Sequence, residues 1–461
     1  MSQSLHTLTR MRRALGTIAL FMTPVAFAQP SYTITDLGTL GGANSWGADI
    51  NIFGEAVGYS QNSSAQERAF LWDPFTGGMT DLGTLSGDTE SRALAIDDNR
   101  RVVGGSRVSS SVDFTAFFWD NTMKGLGTLG GPGSLAYDLV FDLQSGNTSV
   151  VGWAHPPVPT RKATEWSDAG ASWTARNMGG LGGADPISEA RGVNDAIEIV
   201  GFSTTATTGA RAFVERGGLM TNLGTLPGGL SSVAEAVNDF GWIVGFAEEA
   251  TMGFDRAVIW RSDVISELGV LAGGSESVAF DLNEPAAAVG WATTAQSERR
   301  AALFLNGQVF DLNALIPAGT DWTLTDATGI NDAGQIVGTG TRTGFVSKAF
   351  ILDLSSLLLM QPVPGEANTN NTLWANGAGS SVRVYFVYGF RAGSTNVPNC
   401  PGLTVGIANP TIAGSAVADG TGVASLMSFV PAAASGRTLL IQAVEAAPDC
   451  RVSNLVTYTF P

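Results

Sequence analysis

Asp36-Leu37-Gly38-Thr39-Leu40-Gly41-Gly42 is the first of seven near copies of one phrase. The others begin at Asp81, Gly125, Asn177, Asn222, Glu267 and Asp311, at spacings of 45, 44, 52, 45, 45 and 44 residues. A fixed period of that size is the length of one four-stranded propeller blade. The unit from Ser91 to Leu129 shows why. Strands are predicted at Ser91 to Ile96, Arg101 to Ser106, Thr115 to Trp119 and Met123 to Leu129, separated by turn residues such as Asp97-Asp98-Asn99 and Asp120-Asn121. The result is an antiparallel meander.

The same grammar recurs in every unit. Ser or Thr opens the first strand at Ser45, Ser91, Ser134, Ser188, Ser232, Ser277 and Thr325, and a small residue follows two positions later (Gly47, Ala93, Ala136, Ala190, Ala234, Ala279, Ala327). Strands crowd together at a propeller axis, so this strand is read as the inner one. Glycine closes the second strand at Gly58, Gly104, Gly152, Gly201, Gly245, Gly290 and Gly338, a sign of close backbone approach rather than chemistry. A lone strand, Tyr32 to Leu40, precedes the first set, and the last set stops after its third strand, Ala349 to Leu352. Pairing the spare strand into the last set would remove the exposed edge. The expectation is an all-β chain: a seven-bladed β-propeller over residues 29–356, closed by an N-terminal strand, and monomeric.

Residues 1–28 read as a secretory signal peptide. Arg10, Arg12 and Arg13 precede an apolar run, Ala14 to Met22, and Ala26-Phe27-Ala28 suits cleavage. Loss of these residues moves the formal charge from −16 to −19, because they carry three arginines and no acid. No basic footprint for nucleic acid is visible. No later segment is long and apolar enough to span a bilayer. The chain is expected to be secreted or periplasmic, and possible association with the cell surface is left open. Its two cysteines, Cys400 and Cys450, suit a disulfide in such a compartment.

Three sub-motifs recur in order: Asp36 to Gly42; Ile-Asn-x-x-Gly-x-Ile-Val-Gly at Ile330 to Gly338; and Arg-Ala-Phe-Leu-Trp at Arg68 to Trp72. At these residues the chain resembles the HAF family of extracellular repeat proteins, over roughly Ser31 to Leu354. The resemblance implies export and a repeat fold, with no reaction attached. Arg or Lys stands here where the family's His-Ala-Phe triplet has His, so no role of that His carries over. Kelch-type propellers are a looser analogue. Periodicity ends near Leu354. Residues 357–367 read as a linker, and residues 368–461 as a small β-sandwich with strands at Val382 to Tyr388, Leu403 to Ile407, Gly422 to Phe429, Leu439 to Ala443 and Leu455 to Phe460.

Function is expected on the face carrying the Gly-Gly segments and the variable loops, among them Arg107 to Asp113, Ala154 to Arg161 and Ala247 to Asp255. Asp185, Glu189, Glu235 and Glu276 fall on or near that face and are the candidate ligand-binding residues. A basic position opening the third strand (Arg68, Lys162, Arg211, Arg256, Arg300, Lys348) recurs too regularly for a site and reads as a tie between blades. Asn51, Asp97, Asn194, Asn238, Asn283 and Asn331 read as turn residues, with Ca²⁺ ligation as the sharper alternative. His155, the one histidine after residue 28, reads as an exposed loop residue. No metal site, catalytic triad or cofactor is expected, Ca²⁺ excepted. The chain therefore reads as an exported, non-catalytic binding or scaffold protein for a glycan or a protein ligand. The alternative is a carboxylate-based polysaccharide hydrolase or lyase on the same face.

Overall fold

The computed structural model describes residues 29–142, 146–158, 160–168, 172–183, 185–206, 209–342, 346–446 and 448–461. The leader expected at 1–28 lies outside them. The chain is all-β and propeller-like: from residue 32 to residue 354 it forms successive four-stranded antiparallel sheets. The unit used above is observed as Glu90–Ile96, Val102–Arg107, Thr115–Trp119 and Met123–Gly125. The fourth strand is shorter than expected because Leu126-Gly127 turns away, with Gly127 at a left-handed φ of +78°. In most units the Asp or Asn side chain accepts the glycine N–H, as Asp36 does from Gly38 at 2.8 Å and Asp81 does from Gly83 at 2.8 Å.

The N-terminal strand Tyr32–Asp36 pairs antiparallel with Val346–Leu354, with Ile34 opposite Leu352 and Asp36 opposite Phe350. It completes the sheet that holds Trp322–Ile330 and Ile336–Arg342.

Adjacent sheets are stitched by the serine that opens each inner strand. Ser277 Oγ donates to Gly269 O at 2.7 Å and accepts from Ala257 N at 2.9 Å, both in the preceding sheet and its exit turn. Ser91, Ser134, Ser188 and Ser232 do the same. Ser45 donates to Gly38 O and accepts from Ala349 N at 3.0 Å, so the first inner strand is tied to the last sheet by the same device. Where Thr325 replaces serine, Asn313 takes over, donating to Leu324 O at 2.9 Å and accepting from Leu324 N at 2.7 Å. On the opposite face the turn asparagines pass an amide to the same residue of the next unit: Asn194 to Asn238 O, Asn238 to Asn283 O, Asn283 to Asn331 O, and Asn331 to Asn51 O. Turn chemistry was expected of them. The bond across the seam was not.

The second-strand glycines are required by contact. A Cβ at Gly104 would lie 1.9 Å from Arg92 O, and one at Gly290 would lie 1.9 Å from Val278 O. Between the sheets, apolar residues of the first three strands interleave. Val244, Ala257 and Ile259 of one sheet, for example, meet Ala279, Leu282, Ala302 and Phe304 of the next.

Beyond Leu354, two sheets share one core. Leu358–Leu359, Thr369–Asn376 and Ala424–Val430 form one; Thr411–Val417, Arg383–Gly389, Thr438–Glu445 and Val456–Thr459 form the other. Leu359, Leu373, Phe386, Ile441 and Val456 meet between them. A hairpin, Ala392–Asn396 with Thr404–Ile407, covers the outer side. The strands at Leu358–Leu359, Thr369–Asn376, Ala392–Asn396 and Thr411–Val417 were missed from sequence: the first is only two residues long, and in the others small or polar residues such as Asn, Gly, Ser and Ala interrupt the apolar alternation. Cys400 and Cys450 form the expected disulfide, with Cα atoms 5.6 Å apart. In the chain-entropy picture, closing a loop of this length stabilises by roughly 4 kcal/mol.

The stretch expected as a linker is instead packed. Leu357, Leu358, Leu359, Met360 and Val363 are buried, and Leu358 and Met360 join the core of the last sheets. Apolar residues outweigh Pro362, Pro364 and Gly365 there, and burial wins over turn propensity. Asn376 donates to Asp332 O at 2.7 Å, Gln361 N donates to Asn306 Oδ1 at 2.9 Å, and Trp374 meets Phe240 edge-on. The C-terminal part therefore sits on the turn face, and among the described residues no hydrogen bond or ring contact links it to the variable loops. No helix among the described residues is long and apolar enough to cross a membrane.

Candidate functional site

Every inner strand slips register one step after its small residue. The shifts fall between Gly47 and Asp49, Ala93 and Ala95, Ala136 and Asp138, Ala190 and Gly192, Ala234 and Ala236, Ala279 and Asp281, and Ala327 and Gly329. A β-bulge re-aims the extra residue. The extra residues are Ala48, Leu94, Tyr137, Arg191, Glu235, Phe280 and Thr328, and all seven line one cavity of about 430 Å³ between the inner strands. The position before the extra residue is Gly or Ala in every unit, and the one after it is Asp, Ala or Gly. The bulged position differs in every unit: it is small or apolar at Thr328, Ala48 and Leu94, and aromatic or charged from Tyr137 to Phe280.

Three aspartates stand next to the bulge. Asp49 accepts from Ile50 N at 2.7 Å and, across the seam, from Ile96 N at 2.9 Å. Asp138 accepts from Leu139 N and Val193 N, and Asp281 from Leu282 N and Ile330 N, in the same way. Each carboxylate thus clasps its own inner strand to the next. The equivalent residue in the receiving strand is small: Ala95, Gly192 and Gly329. Burial raises all three acids, Asp138 to about 6 and Asp281 to about 7. Asp49 rises well above the carboxylate range through burial and the nearby charge of Asp281.

Arg191 organises the charged side. Its guanidinium lies 2.9 Å from Glu189 Oε2 and 3.7 Å from Glu235 Oε2, and it stacks on the Tyr137 ring at 4.3 Å. Tyr137 donates to Glu189 at 3.2 Å. Burial lifts the Tyr137 hydroxyl to about 12 and raises the Glu235 carboxyl, against the pull of Arg191. Around this group, arginines lie over aromatic rings: Arg92 over Tyr59, Arg161 over Trp153 and Arg299 over Trp291. Trp46 stacks on Tyr59 at 4.8 Å.

Of the four residues named from sequence, Glu189 and Glu235 are brought together on Arg191. Asp185 is exposed and paired with Lys162; the bonds from Lys162 and Thr160 hold its carboxyl below the usual range. Glu276 belongs with Asp255 and Glu248. Burial and those two charges raise Asp255. The repeated basic position ties to the next inter-sheet segment at Lys162, which also donates to Pro186 O, and at Arg211, which donates to Leu230 O. Arg300 pairs locally with Glu298 instead.

His155 corrects an expectation. It is buried, not exposed, with its ring against Trp153 at 4.9 Å and its main chain bonded to Gly131 and Gly133. Burial lowers its pKa. Among the described residues no group of three or more His, Cys, Asp or Glu is placed to hold a metal ion.

Sequence reading missed Tyr137, Arg191, Phe280 and the three aspartates. The sequence marks them weakly: after the recurring Ser or Thr and small residue, the next letter differs in every unit, but the letter before the small residue varies almost as much. No protein-family model matches this chain, and a search of curated proteins found no match.

Proposed function

We propose that the chain is an exported, non-catalytic binding protein built on a closed seven-bladed propeller with a C-terminal β-sandwich. Its ligand, a glycan or a segment of another protein, is taken at the variable-loop mouth of the axial cavity. One observation carries the reading: seven structurally equivalent bulged residues, all different, converge on one cavity. Repeated positions serve the repeat, whereas an asymmetric ligand needs an asymmetric wall. Ring closure is supported by the pairing of Tyr32–Asp36 with Val346–Leu354 and by the Ser45 and Asn331 bonds between first and last sheets.

Export is supported by the disulfide and by the leader-like residues 1–28. The loop-face placement is supported by the C-terminal part, which occupies the other face, and by apolar side chains held out on the variable loops, such as Val112 and Met252. The carboxylate-enzyme alternative draws less support. Glu189 has one oxygen on Arg161 at 2.7 Å and the other on Arg191 and Tyr137, which leaves neither free as a nucleophile or base.

The test is a glycan and peptide array probed with the protein, with and without Ca²⁺. Specific binding that falls at least tenfold in Tyr137→Ala and Phe280→Ala is expected. Binding unchanged in both variants would remove the cavity from the reading.

A further inference from the structure

The C-terminal part holds a second cavity that the reading above does not use. Its two sheets splay at one end and leave a cleft of about 410 Å³. The walls are apolar and aromatic: Leu439 and Phe460 lie within, and Phe390, Ile412 and Phe429 stand at the rim. Those rim side chains are 61%, 63% and 57% exposed, so the cleft opens to solvent through an apolar mouth. Isolated exposed apolar residues need no explanation, but several converging on one cleft of ligand size do.

One charged side chain, Arg437, joins this lining. It follows a tight turn in which Arg437 N donates to Ala434 O at 2.9 Å, and Gly436 holds a left-handed φ of +72°. The last strand then fixes its backbone, with Phe460 N donating to Arg437 O and Gly436 N to Phe460 O. Arg437 is exposed and makes no ion pair among the described residues. It is the one charged residue among those lining the cleft.

We infer that this cleft binds an amphipathic anion, its acyl chain between the two sheets and its carboxylate on Arg437. An apolar wall discriminates little among chains. The guanidinium supplies the preference, since a carboxylate matches its fork of donors. A cationic amphiphile of equal length offers the same apolar contact and meets a like charge. This site is independent of the axial cavity, so its success or failure leaves the array result untouched.

The experiment is isothermal titration of the full chain with decanoate, and in parallel with decyltrimethylammonium, both as monomers in solution. Saturable one-site binding of decanoate is expected, with the cation at least tenfold weaker. Arg437→Ala should weaken decanoate by about five- to tenfold and equalise the two probes. Arg437→Lys should restore part of the preference. Ala433→Trp, at an exposed position on the lining, should close the cleft and abolish both. Near-ultraviolet circular dichroism checks that each variant is folded. Absence of saturable decanoate binding, equal binding of the two probes by the unaltered chain, or an unchanged affinity in folded Arg437→Ala would each overturn the inference. So would self-association through this cleft that decanoate does not reverse.

Discussion

Val278 O fills the space where a side chain at position 290 would begin. The obstacle at Gly290 is backbone on both sides of the hairpin: the carbonyl oxygen at 1.9 Å and its carbon at 2.9 Å. The bulge causes this, because it drives the inner strand's carbonyl toward the second strand at every unit. Backbone cannot rotate away as a flexible side chain can. Gly290→Ala is therefore expected to destabilise by about 3 kcal/mol, at the upper end for overpacking, read as a lower urea midpoint with unchanged slope. A midpoint equal to that of the unaltered protein would show that the hairpin yields freely. The same bulge presents Phe280 to the cavity, so one local irregularity both forbids a side chain at one position and aims another.

Strand Tyr32–Asp36 is an element whose place depends on the far end of the chain. Tyr32 is buried with Leu303, Leu315 and Leu352, and Arg342 bridges Asp36 and Asp321. Without this strand, Val346–Leu354 would lose its edge partner along the five residues from Phe350 to Leu354. Deleting residues 29–36 is expected to lower the melting temperature and to convert a single species on size-exclusion chromatography into aggregates. A deletion variant that stays monodisperse with the original melting temperature would rule out a closing role. The C-terminal part does not substitute for this strand, because it packs on the turn face through Trp374 and Asn376.

At the scale of the whole molecule, a few acids are held away from water. Burial holds Asp138 at about 6 and Asp281 and Glu284 at about 7. An acid whose folded-state pKa lies above its unfolded value, about 4, binds its proton more readily in the folded chain. Its contribution is complete below the unfolded pKa and is lost as pH rises through the folded one. The melting temperature should accordingly be higher near pH 5 than near pH 8, with most of the change between pH 5 and pH 7. Scanning calorimetry across that range checks it. A melting temperature that rises toward pH 8 would mean that these carboxyls stay ionised and well solvated in the folded protein. The surplus of acids over bases adds to the same trend through self-repulsion at high pH.

Local and periodic information was readable from the sequence alone. The spacing of Asp-Leu-Gly-Thr-Leu-Gly-Gly, the alternation around Ser91 and Thr115, and the glycine closing each second strand depend on neighbours a few residues away. They marked the four-stranded units and the spare N-terminal strand, and the count of two cysteines in a chain read as exported gave the pairing of Cys400 with Cys450. What the chain brings together from distant units was decided only in three dimensions. Residues 48, 94, 137, 191, 235, 280 and 328 meet because seven bulges present them to one cavity, and a register slip of one residue leaves no mark in composition. Likewise Glu189 and Glu235 share Arg191 while Asp185 and Glu276 stand elsewhere, although all four look alike as letters. His155 and the 357–367 stretch were misread for the same reason: their burial comes from Trp153 in the folded sheet and from the last sheets of the array, and a polar or proline-rich neighbourhood says nothing about what will cover it.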